Sequence, residues 1–162
     1  MSERIRVRPI AYVDGGAHEI RGNNWGDSRC IIRVDPAVLP DRATKGLEAF
    51  SHLELIFHFH RTEPLGSTYP PRRPRGHQDY PEVGVLAVRN MHRPNRLAIS
   101  RCRLLHVDHN DLHVTDLDAI HGTPILDIKP WLTEMAPRGE VRQPTWSTQI
   151  MRNYYAPAPD PE

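Results

Sequence analysis

The sequence predicts an all-β or mostly-β domain, and three observations lead there. Apolar and polar residues alternate through several short runs. Gly, Pro, Asn and Asp separate those runs, and helical periodicity is scarce. CIIRVD (Cys30 to Asp35) puts Cys30, Ile32 and Val34 on one face. HLELIFHFH (His52 to His60) turns Leu53, Leu55, Phe57 and Phe59 inward. VGVLAV (Val83 to Val88) is an apolar run of strand length. NRLAISRCRLLHV alternates from Asn95 to Val107, DLHVTDL continues after a turn at His109 to Asp111, and TPILDIK closes the series. Closure into a barrel would remove exposed edges, but period alone leaves barrel and sandwich both open.

Helix is expected only in short pieces. DPAVLPDRATKGLEAF holds a turn or two, with Asp41 as a cap before Lys45 and Gly46. Near the C-terminus, WSTQIMRNYY offers Ser147 as an N-cap, with Ile150, Met151 and Tyr154 at helical spacing. The domain is expected to run as one unit over 1–155, containing a long Pro- and Arg-rich loop over 61–82 and ending in a flexible tail over 156–162.

With 162 residues the chain can bury a core without staples, and its 38% hydrophobic content suits a soluble domain. The net charge of +1 gives no compositional case for a nucleic-acid binder. The positive charge is nearly all arginine, since Lys45 and Lys129 are the only lysines, and arginine is suited to bidentate contact with phosphate and carboxylate. Cys30 and Cys102 form no CxxC and read as buried thiols of a reduced compartment. MSERIRVRPI has no apolar leader core and no run is of membrane-span length, so a cytoplasmic location is expected.

Two histidine groups invite a metal reading: His58 with His60, and His106 with His109 beside Asp108. Neither is a complete ligand set, so no metal site is assigned, and a metal-dependent hydrolase stays an alternative. There is no GxGxxG, no P-loop and no GxSxG elbow. The arginines give a sharper pattern. Arg72, Arg73 and Arg75 lie in the long loop and Arg93 follows VGVLAV, so a basic surface for a phosphate backbone forms if the loop folds over the strands. In HGTPILDIKPW (His121 to Trp131), strand alternation places Pro124, Leu126 and Ile128 on one face and Ile125, Asp127 and Lys129 on the other.

Three stretches, LEAFSHLELIFHFHR, VGVLAVRNMHRPNRLAIS and LDAIHGTPILDIKPW, taken in this order, resemble the YaeB-like (TsaA-like, TrmO) family. The paired elements are RxxxRPN, here Arg89 to Asn95, and DGTPxxDIKPY, here His121 to Trp131. The resemblance implies a small closed β-barrel with short helical additions at the C-terminus. It further implies binding of S-adenosylmethionine, assembly as a homodimer, and methylation of N6 of threonylcarbamoyl-adenosine at position 37 of tRNA. By matching position, it assigns the cofactor to His60, Arg61, Arg89, Ser100, Arg101, Leu117, Asp118, Ala119 and Ile120. Asp118 and His121 are the candidate proton acceptors, and Arg72, Arg73, Arg75 and Arg93 the candidate RNA contacts. Asp127 and Lys129 are expected to brace the loop from Leu117 to His121 and the dimer contact. A barrel that binds S-adenosylmethionine or RNA without turnover is the other reading. The family's N-terminal Pro-Arg-Gln is absent; AHEIRGNNWGDS stands there, with Trp25 in position to replace its contacts.

Overall fold

A computed structural model describes residues 5–66 and 68–157. Six strands are present: β1 (Ala11–Gly15), β2 (Arg29–Val34), β3 (His52–His58), β4 (Leu97–Asp108), β5 (Asp111–Thr115) and β6 (Pro124–Pro130). They close into a barrel in the order β1-β2-β5-β4-β3-β6, and every neighbouring pair is antiparallel. The barrel is therefore the solution the alternation left open. Five strands coincide with predicted runs, and β1, only five residues long, is an addition.

Alternation builds the core directly. Leu53, Leu55 and Phe57 of β3 face Cys102 and Leu104 of β4, Leu112 and Val114 of β5, and Ile32 of β2 inside the barrel, all buried. Burying each large aliphatic side chain contributes about 1.5–3 kcal/mol. Burial also pushes both thiols, Cys30 and Cys102, up to about 12, which makes them inert packing groups.

VGVLAV is not a strand. It makes a single 3-10 turn at Val85–Ala87, with Leu86 left 80% exposed. The reason is local: Nη1 of Arg93 donates to the carbonyls of Val85 (3.1 Å) and Val88 (2.6 Å), so a guanidinium takes acceptors that a neighbouring strand would need. Among the described residues the one α-helix, α1, spans Thr145–Met151. Pro144 sits at its N-cap, and Ser147 lies within the first turn, its hydroxyl donating back to the Pro144 carbonyl at 2.7 Å. The segment around Asp41 forms turns and a 3-10 turn at Leu47–Ala49 entered through Gly46 at φ 93°, so Gly46 and not Asp41 opens it.

β6 also departs from simple alternation. Its register against β3 shifts between Ile56, opposite Asp127, and Phe57, opposite Ile125, which leaves Leu126 as a bulge. The extra residue resets the pleat. Ile125 and Ile128 therefore both reach the core, while Asp127 and Lys129 pair with each other at 2.6 Å on the outer surface. Lys129 lies near the end of β6 remote from the loop it was expected to brace, so the pair is a surface ion pair of small energetic weight.

The long loop is tied down by arginine. Arg73 donates to the carbonyls of Gln78 and Tyr80, Arg75 to that of Gly22, and Arg96 to that of Thr62. The expected flexible tail is docked as far as Pro157; its remainder lies outside the described residues. Leu55→Ala should lower unfolding free energy by about 2–5 kcal/mol in urea titration. A loss below about 1 kcal/mol would contradict an interior position at the barrel centre.

Candidate functional site

Antiparallel closure gathers the ends of β1, β3 and β5 and the starts of β2, β4 and β6 at one end of the barrel. The loop from Asp116 to Thr123 crosses that end. Its anchors are backbone bonds: His121 N–H to the Ala17 carbonyl (2.8 Å), Gly122 N–H to Val13 (2.8 Å) and Thr123 N–H to Ile120 (3.1 Å). Asp116 takes a left-handed φ of 65°, and its Oδ1 accepts from the Asp27 N–H at 2.9 Å. Leu117 and Ala119 point into the core, which turns Asp118 the other way.

Asp118 meets a narrow cavity of about 40 Å³. Trp25, Phe57, Met91 and Ile120 supply apolar walls, and His60 and Arg61 supply polar ones. Oδ2 of Asp118 accepts a 2.5 Å hydrogen bond from the Tyr154 hydroxyl. Oδ1 is buried and has no hydrogen-bond partner among the described residues, and the same holds for Trp25 Nε1 and Ser100 Oγ. Buried polar atoms without partners are uncommon in folded proteins, and each costs about 1–3 kcal/mol. A ligand with a donor for Asp118 and an acceptor for Trp25 would satisfy two of them.

His121 is held differently. Its Nδ1 accepts the Gly15 N–H at 3.1 Å, which leaves the ring proton of the neutral form on Nε2. Its ring lies tilted against that of His18, with centroids 4.9 Å apart, and Asp14 approaches to 3.6 Å. Asp14 belongs to Arg33, whose hydrogen bond holds its carboxyl below the usual range. Of the two candidate proton acceptors, then, Asp118 has an open acceptor atom and His121 has its basic nitrogen occupied.

The remaining predicted residues separate into two groups. His60, Arg61, Arg89, Ser100 and Ile120 lie with Asp118 at this end: Arg61 donates to the His18 carbonyl (3.0 Å) and Arg89 to that of Ile99 (3.2 Å). Arg101 does not join them. Next to inward-facing Ser100, it points outside, where it pairs with Glu54 at 2.8 Å and covers the Trp131 ring at 4.0 Å. Leu117 and Ala119 are buried in the core and do not line the cavity. Of the proposed RNA contacts, Arg73, Arg75 and Arg93 spend donors on loop carbonyls, and Arg72 is exposed beside a backbone bridge to Val83.

The histidine groups do not converge. His58 and His60 are at the cavity end, and His106 and His109 are at the opposite hairpin, where His106 stacks on His113 at 3.9 Å. Among the described residues, no three His, Cys, Asp or Glu side chains are arranged to hold a metal. Nothing among the described residues supports the hydrolase alternative. An open depression of about 630 Å³ lies at that opposite end, between Asp41, Arg42, Lys45, Glu48 and His109. It carries charges of both signs and holds none of the predicted cofactor residues. Trp25, Met91, Ile20 and Tyr154 are site components that the sequence reading did not assign to the cofactor.

Geometry thus defines a class: a six-stranded antiparallel barrel with a loop-built, partly apolar cavity at one end. The family model of the tRNA-methyltransferase O N-terminal domain matches residues 18–136, and the chain belongs to that family. It is 31% identical over 132 residues to a human tRNA (adenine(37)-N6)-methyltransferase, covering 80% of this chain and 30% of the relative. A probable S-adenosyl-L-methionine-binding protein of Pyrococcus abyssi is 42% identical over 143 residues, 85% of this chain and 74% of that one. A crystal structure of TrmO from Pseudomonas aeruginosa superposes with a TM-score of 0.69 at 28% identity, covering 98% of this chain and 66% of that chain. The chain spans less than a third of the length of the human and rat relatives it matches.

Burial lowers the pKa of both His58 and His60, helped by Arg96 and by Arg61 respectively. The unfolded chain therefore binds these protons more readily than the native one. Their contribution to stability is complete above the ordinary value of 6.5 and is lost as pH falls through the lowered native values. The midpoint of thermal unfolding should fall between pH 7.5 and 5.5, and a His58→Gln, His60→Gln double variant should flatten that decline. An unchanged slope in the variant would contradict the assignment.

Proposed function

We propose that the chain is an S-adenosylmethionine-dependent methyltransferase acting in the cytoplasm on N6 of a modified adenosine in tRNA, of the threonylcarbamoyl type. The observation that carries this reading is the buried, unpartnered Oδ1 of Asp118 in an apolar cavity at the barrel end. The names of the human and archaeal relatives support the cofactor and the reaction class.

The residues present suit a nucleoside: an acceptor on Asp118, a donor on Trp25 and aromatic walls between them. The cavity itself holds only about a water molecule or two. Trp25 is one wall of that cavity, and the Arg21 guanidinium covers its ring at 4.5 Å. When bound, S-adenosylmethionine supplies a methyl group already activated by its sulfonium. The chain's own work is to exclude water, align the acceptor nitrogen in line, and remove a proton. Peptide groups of Leu117 to Ile120 would hold the adenine edge, and Arg61 and Arg89 would add positive charge at the rim. With the cofactor held there, Oδ1 of Asp118 would be the group that takes the proton given up by the acceptor nitrogen.

Arg72 and neighbouring arginines face the polyanion, and shape carries much of RNA recognition. The homodimer of the reading is accommodated by the outer β3–β4 wall, where Leu97 and Ile99 are exposed in the described chain. Calorimetric titration with S-adenosylhomocysteine should give about one site per chain, weakened in Arg89→Ala. Labelled methyl should transfer to tRNA from cells lacking the gene, and Asp118→Asn should slow that transfer about 10²-fold. Binding without transfer to any RNA would favour a barrel that senses the cofactor, and an unaffected Asp118→Asn rate would remove the carboxylate from the mechanism.

A further inference from the structure

Resting on the cofactor reading of the cavity, we infer that Tyr154 is a positioning residue for Asp118, delivered by a C-terminal strap that is an integral part of the site. Asp118 lines the cavity and Tyr154 does not. The phenol therefore grips the carboxylate from behind the wall. It occupies Oδ2 at 2.5 Å and leaves Oδ1, the buried and unpartnered oxygen, for a donor on the ligand. A carboxyl group free to rotate would offer either oxygen in many orientations; one held by a hydroxyl offers one lone-pair direction.

The phenol is suited to that task as a permanent donor. Burial, and next the neighbouring Asp118 charge, push its pKa well above the usual tyrosine range, so it keeps its proton at any working pH. Tyr155 beside it is pushed up to about 12, again by burial first. Tyr154 lies beyond the end of α1, where its N–H still donates to the Met151 carbonyl (3.0 Å), and its own carbonyl is held from the far end of the chain.

That setting is a short backbone ladder. Asn24 N–H donates to the Asn153 carbonyl (3.0 Å), Trp25 N–H to Tyr154 (2.9 Å) and Gly26 N–H to Ala156 (3.1 Å). The Asn24 side chain adds a bond to the Pro157 carbonyl at 3.0 Å. Gly26 is the one residue type that fits, because a Cβ there would lie 2.2 Å from the Tyr155 carbonyl oxygen. The same ladder fixes Trp25, a cavity wall. One strap therefore sets both the carboxylate and the indole that face the ligand.

The test compares the wild-type chain with Tyr154→Phe, Asp118→Asn and the double variant, using S-adenosylhomocysteine as the calorimetric probe. Loss of a hydrogen bond to a charged group predicts about tenfold weaker binding in Tyr154→Phe. The double variant should be no weaker than Asp118→Asn, since the tyrosine acts through the aspartate. Gly26→Ala keeps both side chains, displaces the strap and should reproduce the loss. A second readout needs no ligand. In ultraviolet titration, Tyr154→Phe should remove a phenol that ionises only above the usual tyrosine range, and Asp118→Asn should bring that ionisation down. Wild-type affinity in Tyr154→Phe, or losses that add fully with Asp118→Asn, would overturn the inference while leaving the cofactor reading intact. A wild-type chain that binds no S-adenosylhomocysteine would overturn the cofactor reading and this inference with it.

Discussion

The seam between β1 and β6 is the constraint on which the rest depends. It is the thinnest joint of the barrel, two registered pairs at Ala11–Ile125 and Tyr12–Pro124. It is extended by backbone bonds that run straight into the site loop: Val13 N–H to the Thr123 carbonyl and Gly122 N–H back to Val13. The zipper continues through Gly15 N–H to His121 and through His121 N–H to Ala17. Closing the barrel and shaping the loop that carries Asp118 are consequently one event. Gly122, at φ 79° with His60 close against it, makes the sharp corner between loop and strand. Anything that loosens the seam would move the loop with it.

Around that joint the molecule divides its polar groups by task. Arg73, Arg75, Arg93 and Arg96 act mainly as caps for carbonyls that no strand or helix satisfies. This is how a proline-rich segment with little apolar content remains ordered: proline removes backbone donors, and guanidinium groups supply replacements. At the cavity the balance is reversed. Polar atoms of Asp118 and Trp25 are buried without partners among the described residues, a cost that the barrel core below them offsets. Local strain against a stable scaffold is the usual condition of a binding site.

Much of the fold was legible because strand alternation is a local code: the sequence windows for β2 to β6 carry it in neighbouring residues. Two failures have physical causes. VGVLAV has strand composition, but Arg93 captures its carbonyls from five and eight residues away. In DIKP the alternation is broken by a bulge at Leu126, which depends on the β3 partner and leaves no mark in the segment itself. The site was legible to the extent that residues adjacent in sequence build it, as in the Leu117 to His121 loop. Arg101 was misplaced by the simplest rule of a strand, since it follows inward-facing Ser100 and must face outward. Tyr154 and Trp25 were not assigned because their pairing joins segments over a hundred positions apart, with only Gly26 as a sequence trace.

Seam, loop and strap meet at one end of the barrel, so a cofactor bound there should quieten all three together. Hydrogen–deuterium exchange of the full chain, with and without saturating S-adenosylhomocysteine, tests this most directly. The account predicts slower exchange over 11–15 and 116–125, 23–26 and 153–157, with 41–48 and 106–111 at the opposite end unchanged. Protection confined to that opposite end, or absent from the 116–123 loop, would contradict it.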